Sequence, residues 1–395
     1  MKVLVVDPPF FTLPYDLHFC RALAQAGADV ELIGRPPRRY EAVGPQPFPL
    51  RAWFYRLAEG KGDSWQTSRA TKALKAAEHA WGWWTVSRAV ARTRPDVLHL
   101  QWLVVPAIDG VFLRRLARRV PLFLTVHNAS LMAHSAASVV GGLGAKLQRL
   151  GQGDLLALFA GFVVHTEQTR AHLEKLGVAP DRIRVLAHPP LALAESEARP
   201  IDQPGREIRI LFFGSIKPYK GVDVLVRAGI ELMRTTPNCR IDIVGRPFAD
   251  LGAERAMVEA AGLEARIGFD LRYIPDEDLA SYLAAADIVV FPYREIDASG
   301  AFALAVQAGK PVVASAIGVF TEPPAAEHIR LVPPDDPTAL AAVLTDLVRD
   351  PAQRTRLADG SRTLRASLVS WDAFATACLA FYRERSTAPH GATGR

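Results

Sequence analysis

Residues 212–229 read "FFGSIKPYKGVDVLVRAG". An apolar strand runs into Gly214, a turn carries Ser215, Lys217, Tyr219 and Lys220, and Gly221 opens a segment with helical periodicity. A strand, a basic glycine-bounded turn and a helix in immediate succession form half of a βαβ unit. Such a turn also has a chemistry. Glycine lets the backbone approach an anion, lysine neutralises it, and the helix start adds partial positive charge. The G-x-x-x-x-G-K-[ST] order of a nucleoside-triphosphatase loop is absent, and no G-x-G-x-x-G follows a strand.

The same alternation extends in both directions. Upstream, short β-branched runs recur as "KVLVVD" (2–7), "DVELIG" (29–34), "DVLHLQ" (96–101), "LFLTVH" (122–127), "GFVVHT" (161–166) and "IRVLAH" (183–188). Helical segments such as "DLHFCRALAQAG" (16–27) lie between most of them, the latter closed by Gly27 as a helix end would be. A Pro-, Gly- and charge-rich stretch at 191–207 then interrupts the pattern and reads as a linker. Beyond it come "IRILFFG" (208–214), "RIDIVGR" (240–246), "RIGFDLRYI" (266–274), "DIVVFPY" (287–293), "KPVVAS" (310–315) and "IRLVPP" (329–334). The expected architecture is α/β: two doubly wound, Rossmann-like domains at 1–190 and 208–370, facing a central cleft. A last helix and tail at 371–395 returns to the first domain.

A second anion-friendly helix start lies in the second half. In "FPYREIDASGAFALAVQAGKPVVAS" (291–315), the pair Ser299-Gly300 precedes an apolar helix that ends near Gly309. Each helix start alone has a bland explanation, Ser299 as an N-cap and Lys220 as a solvated lysine. Two of them at strand ends in one domain favour a diphosphate, bound through Gly214, Ser215, Lys217, Lys220, Ser299 and Gly300.

Composition bounds the setting. The chain of 395 residues is 49% hydrophobic, long enough for two cores. Its three cysteines, Cys20, Cys239 and Cys378, are far apart, which suggests neither a disulfide framework nor a zinc site. No metal site and no cofactor are expected, since no D-x-D is present and the histidines are scattered. "MKVLVVDPPF" is too short in apolar residues for a signal peptide, so a cytoplasmic protein is expected. Residues 1–200 carry 25 Lys+Arg against 16 Asp+Glu, and the remainder 22 against 25. The basic half also holds Trp53, Trp65, Trp81, Trp83 and Trp84. Basic and aromatic residues on helical stretches suit an anionic bilayer surface, here through residues 51–119, better than nucleic acid. The plainer explanation makes these tryptophans core residues beside a solvated face.

Taken together, "FFGSIKPYKGVDVL", "DIVVFPY" and "ASGAFALAVQAGKPVVAS" resemble the carboxy-terminal half of the GT-B glycosyltransferases of family 4 (group 1). "TVHN" (125–128) and "VVHTE" (163–167) echo the amino-terminal half. The resemblance implies a metal-independent hexosyltransferase. Its second domain would bind a nucleotide-diphospho-sugar, and its first would present a lipid-linked or glycan acceptor. GDP-mannose is the favoured donor and a UDP-sugar the next. The setting implied is polysaccharide or glycolipid assembly, peripheral on the inner face of the cell membrane. The alternatives are a non-catalytic nucleotide-sugar-binding protein and a GT-B nucleotide-sugar epimerase.

This sequence departs from the family pattern in three places. Ser215 stands where the family has an arginine, while Lys220 keeps the lysine. Of the two glutamates separated by seven residues, the second position is Leu304 and the first falls at Ile296, beside Glu295. The glycine-rich loop after the first strand is replaced by "DPPFFTLPYD" (7–16). Breaking a sugar–phosphate bond leaves extra negative charge, which Lys217, Lys220 and the helix starts would stabilise. Glu295 would face the sugar. Asp16 and His127, near strand ends of the first domain, are the candidates for contact with the acceptor hydroxyl. Asp16 has a competing role as a helix N-cap, and His165 and His188 read as structural.

Overall fold

Runs of β-branched and aromatic residues that must be buried on both faces form parallel strands, and the computed structural model shows two such sheets. It describes residues 1–39, 41, 43–58, 69–127, 152–191 and 207–386. The linker expected at 191–207 lies, apart from its ends, outside the described residues, as does Trp65. The chain divides into two compact units, residues 1–189 with 369–395, and residues 190–368.

The first unit holds β1 (Lys2–Asp7), β2 (Asp29–Gly34), β3 (Leu50–Ala52), β4 (Val97–Leu100), β5 (Leu122–Val126), β6 (Gly161–Val164) and β7 (Ile183–Val185). Their order is β3-β2-β1-β4-β5-β6-β7, all parallel. β3 is the one strand not expected from sequence; it is three residues long and only partly buried, so it carries no alternation to read. The helices α1 (Leu13–Gln25), α2 (Arg69–Thr93) and α3 (Pro106–Leu116) run between these strands.

The helix expected to begin at Asp16 begins a turn earlier. Thr12 is the N-cap position of α1, Pro14 occupies its first turn, and the Asp16 amide already bonds to the Thr12 carbonyl at 2.9 Å. Asp16 therefore does not cap the helix. Gly27, at φ +87°, follows its end as expected. α2 and α3 are tied together by Asp109, which accepts from Trp83 Nε1 at 2.7 Å and from His79 Nε2 at 2.5 Å, all three side chains being buried.

The second unit holds β8 (Ile208–Phe213), β9 (Cys239–Val244), β10 (Ile267–Asp270), β11 (Ile288–Phe291), β12 (Val312–Ser315) and β13 (Arg330–Val332). The order β10-β9-β8-β11-β12-β13 is again fully parallel. Its helices α4 (Val222–Thr235) and α5 (Gly300–Gln307) follow β8 and β11. The final helix α6 (Trp371–Ser386) belongs to the first unit and packs on α1 and β6. There Tyr382 bonds through its hydroxyl to His99 Nδ1 at 2.5 Å, and His99 Nε2 meets Thr125 Oγ1 at 2.7 Å.

In each sheet the strand order reverses once, between β1 and β4 and between β8 and β11. Loops leaving the carboxyl ends of strands on either side of such a point diverge and leave room for a ligand. Each unit carries a polar cluster at its own reversal.

Candidate active site

In the second unit, the loop after β8 and the loop after β11 converge. Gly214 has φ +113°, and a Cβ placed on it would lie 3.3 Å from Lys220 Nζ and 4.0 Å from Ala301 Cβ, on the first turn of α5. The basic turn and the α5 start are thus within one side chain of each other. Gly221, in the left-handed region at φ +65°, caps α4, and a Cβ there would come 1.9 Å from the Pro292 carbonyl oxygen. Only glycine permits this approach of the α4 start to the β11 loop.

Lys220 is buried, with Nζ 5.0 Å from the centroid of the Tyr293 ring. Lys217 lies with Nζ 5.8 Å from the Phe248 ring centroid. Neither ammonium has a carboxylate or hydrogen-bond partner among the described residues. Burial, and then the Lys217 charge, bring the Lys220 pKa down to about 7. Ser299 is the N-cap of α5 and accepts from the Phe302 amide at 3.2 Å, while the Ala303 amide bonds to the Ser299 carbonyl. The amides of Gly300 and Ala301 remain at the head of the helix.

Arg294 has a different job. It is gripped by Asp223, on the first turn of α4, and by Asp335 at 2.7 Å, so its charge is consumed within the protein. Glu295 is partly buried, has no hydrogen bond among the described residues, and with burial helps push Tyr219 up to about 12. Ile296, at the position of the family's first glutamate, is buried, and Leu304 at the second is part of the apolar core. Ser215 is exposed at the turn.

The first unit carries the other cluster. Asp7 ends β1 and Asp16 lies on α1, both fully buried. Thr12 joins them, its Oγ1 lying 3.4 Å from Asp7 Oδ2 and 3.3 Å from Asp16 Oδ1 and accepting from Trp102 Nε1 at 3.0 Å. Burial raises both carboxyls, Asp7 to about 6, and the neighbouring Asp7 charge raises Asp16 further. One proton shared by the pair relieves that repulsion. His127 directly follows β5, with Nε2 3.0 Å from Gln101 Oε1 and its ring stacked on Trp102 at 5.1 Å. Burial lowers its pKa, so it is neutral.

Sequence reasoning missed Asp7, Gln101, Trp102 and Tyr15. The signal for Asp7 was present: an acidic residue closing an otherwise apolar buried strand. Among the described residues, no group of three His, Cys, Asp or Glu side chains could hold a metal ion, and no helix is long and apolar enough to cross a membrane.

The two sheets share one doubly wound topology, and among the described residues the lysines of the turn at the second switch point have no charge partner. Residues 207–350 match the model for glycosyl transferases group 1, and residues 14–188 match a glycosyl transferase 4-like domain. The D-inositol 3-phosphate glycosyltransferase of Frankia alni is 33% identical over 326 residues, 75% of this chain and 77% of that one. The enzyme of the same name from Acidothermus cellulolyticus is 29% identical over 398 residues, 94% of this chain and 84% of that one. Among solved structures, sucrose-phosphate synthase from Thermosynechococcus elongatus superposes with a TM-score of 0.73 at 21% identity, over 98% of this chain and all (100%) of that one. Anabaena HepE in complex with UDP and glucose gives 0.70 at 14% identity, over 97% and 100%. The chain belongs to the group 1, family 4-like glycosyltransferases, and it is a transferase of GT-B fold.

Proposed function

We propose that the second unit binds a nucleotide-diphospho-hexose and that the first presents a hydroxyl of a lipid-linked or saccharide acceptor. The observation that carries this is the convergence of Lys220 Nζ and the α5 start on Gly214. The diphosphate takes Lys220 and Lys217 as counter-charges and the Gly300 and Ala301 amides as donors, with Ser215 at the turn. Negative charge grows on this group as the sugar leaves, so fixed donors there lower the barrier. Glu295, which has no hydrogen bond among the described residues, faces the sugar. His127, kept neutral by burial and held through Nε2 by Gln101, makes a hydrogen bond with the incoming hydroxyl at Nδ1. Asp16 reaches the sheet edge through Thr12 and supports this face from beneath.

GDP-mannose is the donor favoured by the turn sequence; the UDP- and glucose-bound HepE supports a UDP-sugar as the alternative. Burial of Leu304 in the core argues that the ribose is held by groups other than the family's second glutamate. Sugar release and transfer from GDP-mannose and UDP-glucose, measured with and without a lipid-linked saccharide acceptor, tests the reading. Turnover of one donor that is lost in Lys220→Ala supports it, and equal turnover in that variant contradicts it.

The membrane part of the proposal rests on α2. Trp83 is core, as the plainer reading had it, but Trp81 and Trp84 are 61% and 42% exposed and pair at 4.7 Å. Arg88 lies over the Trp84 ring at 4.9 Å, and Leu57 is exposed as well. Indole pairs beside guanidinium groups fit the headgroup layer of an anionic membrane.

A further inference from the structure

The carboxyl edge of the first sheet gathers polar atoms that lack partners. Among the described residues, Gln101 Nε2, His165 Nε2 and the Tyr15 hydroxyl are buried without a hydrogen bond, while Asp7 and Asp16 satisfy each other through the proton they share. Buried polar atoms are rarely left so in a native protein, and their gathering at the carboxyl edge of one sheet points to a ligand that completes them.

The histidines define what kind of ligand. His165 Nδ1 lies 2.9 Å from the Leu186 carbonyl oxygen, and His188 Nδ1 lies 2.7 Å from that of Pro189. A carbonyl oxygen only accepts, so both rings carry their proton on Nδ1 and leave Nε2 with a lone pair. His127 Nε2 meets the Gln101 amide, which can turn to offer either its oxygen or its nitrogen, so that bond does not set the tautomer. Neither the His165 nor the His188 lone pair has a hydrogen-bond partner among the described residues. Burial holds His165 near 3 and His188 near 4, with the His188 charge lowering His165 further, so these lone pairs persist at neutral pH.

The three rings surround Tyr15, at centroid distances of 4.8 Å for His127, 5.6 Å for His165 and 5.1 Å for His188. The neighbouring aromatic faces are Trp102, whose indole is anchored on Thr12, and Phe11, which is 60% exposed and meets Trp102 edge-on at 5.7 Å. A metal is not the occupant these groups suit. Imidazole lone pairs accept from O–H groups, and they repel the oxygens of a phosphate. Aromatic faces pack on the C–H surfaces of a ring.

We propose that His165 and His188, together with His127, form a subsite for the hydroxyls of an uncharged saccharide or cyclitol ring, and that this subsite selects against a phosphate ester on that ring. This rests on the transferase reading and narrows its acceptor.

Saturation-transfer NMR near neutral pH tests it with three probes: methyl α-mannopyranoside, myo-inositol and D-inositol 3-phosphate. GDP and UDP are titrated into the same sample. The expected result is saturation of at least one uncharged ring and a signal for the phosphate ester weaker by about fivefold or more, one unmatched polar contact being worth that much. His188→Leu, at a half-buried position, should lose the signal, and His188→Asn, which keeps an acceptor, should recover it, with equal melting temperatures. The inference is overturned if the phosphate ester saturates as strongly as myo-inositol, or if His188→Leu retains the full signal. A sample that binds nucleotide but no uncharged ring overturns this inference alone; one that binds neither overturns the transferase reading with it. The comparison of probes on the unaltered protein stands even if a variant fails to fold.

Discussion

Arg294 grips Asp223 by both carboxylate oxygens, with Nη1 2.8 Å from Oδ1 and Nη2 2.7 Å from Oδ2. The bond joins the loop after β11 to the first turn of α4, and Arg294 also donates to the Pro218 carbonyl in the basic turn. A bidentate guanidinium is rigid where a lysine would swivel. The two strand-end loops that frame the proposed diphosphate site are thereby held in one arrangement, although Arg294 itself offers a ligand no free charge.

Replacing Arg294 tests this role. Arg294→Lys keeps the charge and loses the fork, so nucleotide affinity should fall while the protein stays folded. The stability cost should be about 0.2–1 kcal/mol, the scale of partly exposed ion pairs. Denaturant unfolding and nucleotide titration on the same variant separate the two effects. A fall in stability with unchanged affinity would show that the clamp does not shape the site.

Lys220 predicts a pH dependence with a definite sign. Its amine titrates near 7 in the free protein, and a bound diphosphate requires it protonated. Affinity should therefore be greatest below pH 7 and decline as pH rises through that value, with proton uptake on binding above it. In the free protein the sign for folding is opposite: the unfolded lysine holds its proton up to about pH 10. Stability from this group thus rises between about pH 7 and 10. Calorimetry in buffers of different ionisation enthalpy reads the proton uptake. Lys220→Ala should abolish it and cost roughly 1.5–3 kcal/mol of binding, the range for a hydrogen bond to a charged group.

The Asp7–Asp16 pair makes a separate prediction about stability. Both folded pKa values are raised, so the folded state binds more protons than the unfolded chain from about pH 4 up to about 6 for Asp7, and to higher pH for Asp16, which is raised further. Stability from the pair is greatest below that window and falls as pH rises through it. Asp7→Asn or Asp16→Asn, which remove one buried charge, should raise the unfolding free energy at about pH 8 by on the order of 1–3 kcal/mol, a tenfold change in a carboxyl's acidity being worth about 1.4 kcal/mol. They should change it little at about pH 4. An equal effect at both pH values would mean that the two carboxyls do not share a proton.

The exposed indoles of α2 predict attachment to anionic vesicles. Trp81→Ala with Trp84→Ala should release the protein from vesicles rich in phosphatidylglycerol, and salt should weaken the binding of the unaltered chain. Co-sedimentation at low and high salt measures both. Unchanged attachment of the double variant would exclude this face.

Much of the fold was legible because parallel strands buried on both faces leave continuous apolar runs such as "DIVVFPY", and each of the runs read as a strand is one. Leu50–Ala52 was missed because three half-buried residues carry no period. The start of α1 was misplaced because Thr12 caps by position without a side-chain bond, while Asp16 had the composition of a cap. In the second unit the basic turn was readable since glycine and lysine announce backbone geometry and charge. In the first, the site is assembled from Asp7, Gln101, Trp102 and His165, which follow or end separate strands. Their meaning lies in burial and tautomer, and neither has a sequence signature. The tryptophans of α2 show the same limit, for Trp81 and Trp84 face out while Trp83 turns in to Asp109.

The measurement that bears most directly on the central claim is calorimetric titration with GDP, UDP and ADP, on the unaltered chain and on Lys220→Ala. Selective binding of GDP or UDP, weakened in the variant, is the result expected if Lys220 and the α5 start hold a nucleotide diphosphate. Binding of none of the three, or equal binding by both proteins, would contradict that assignment.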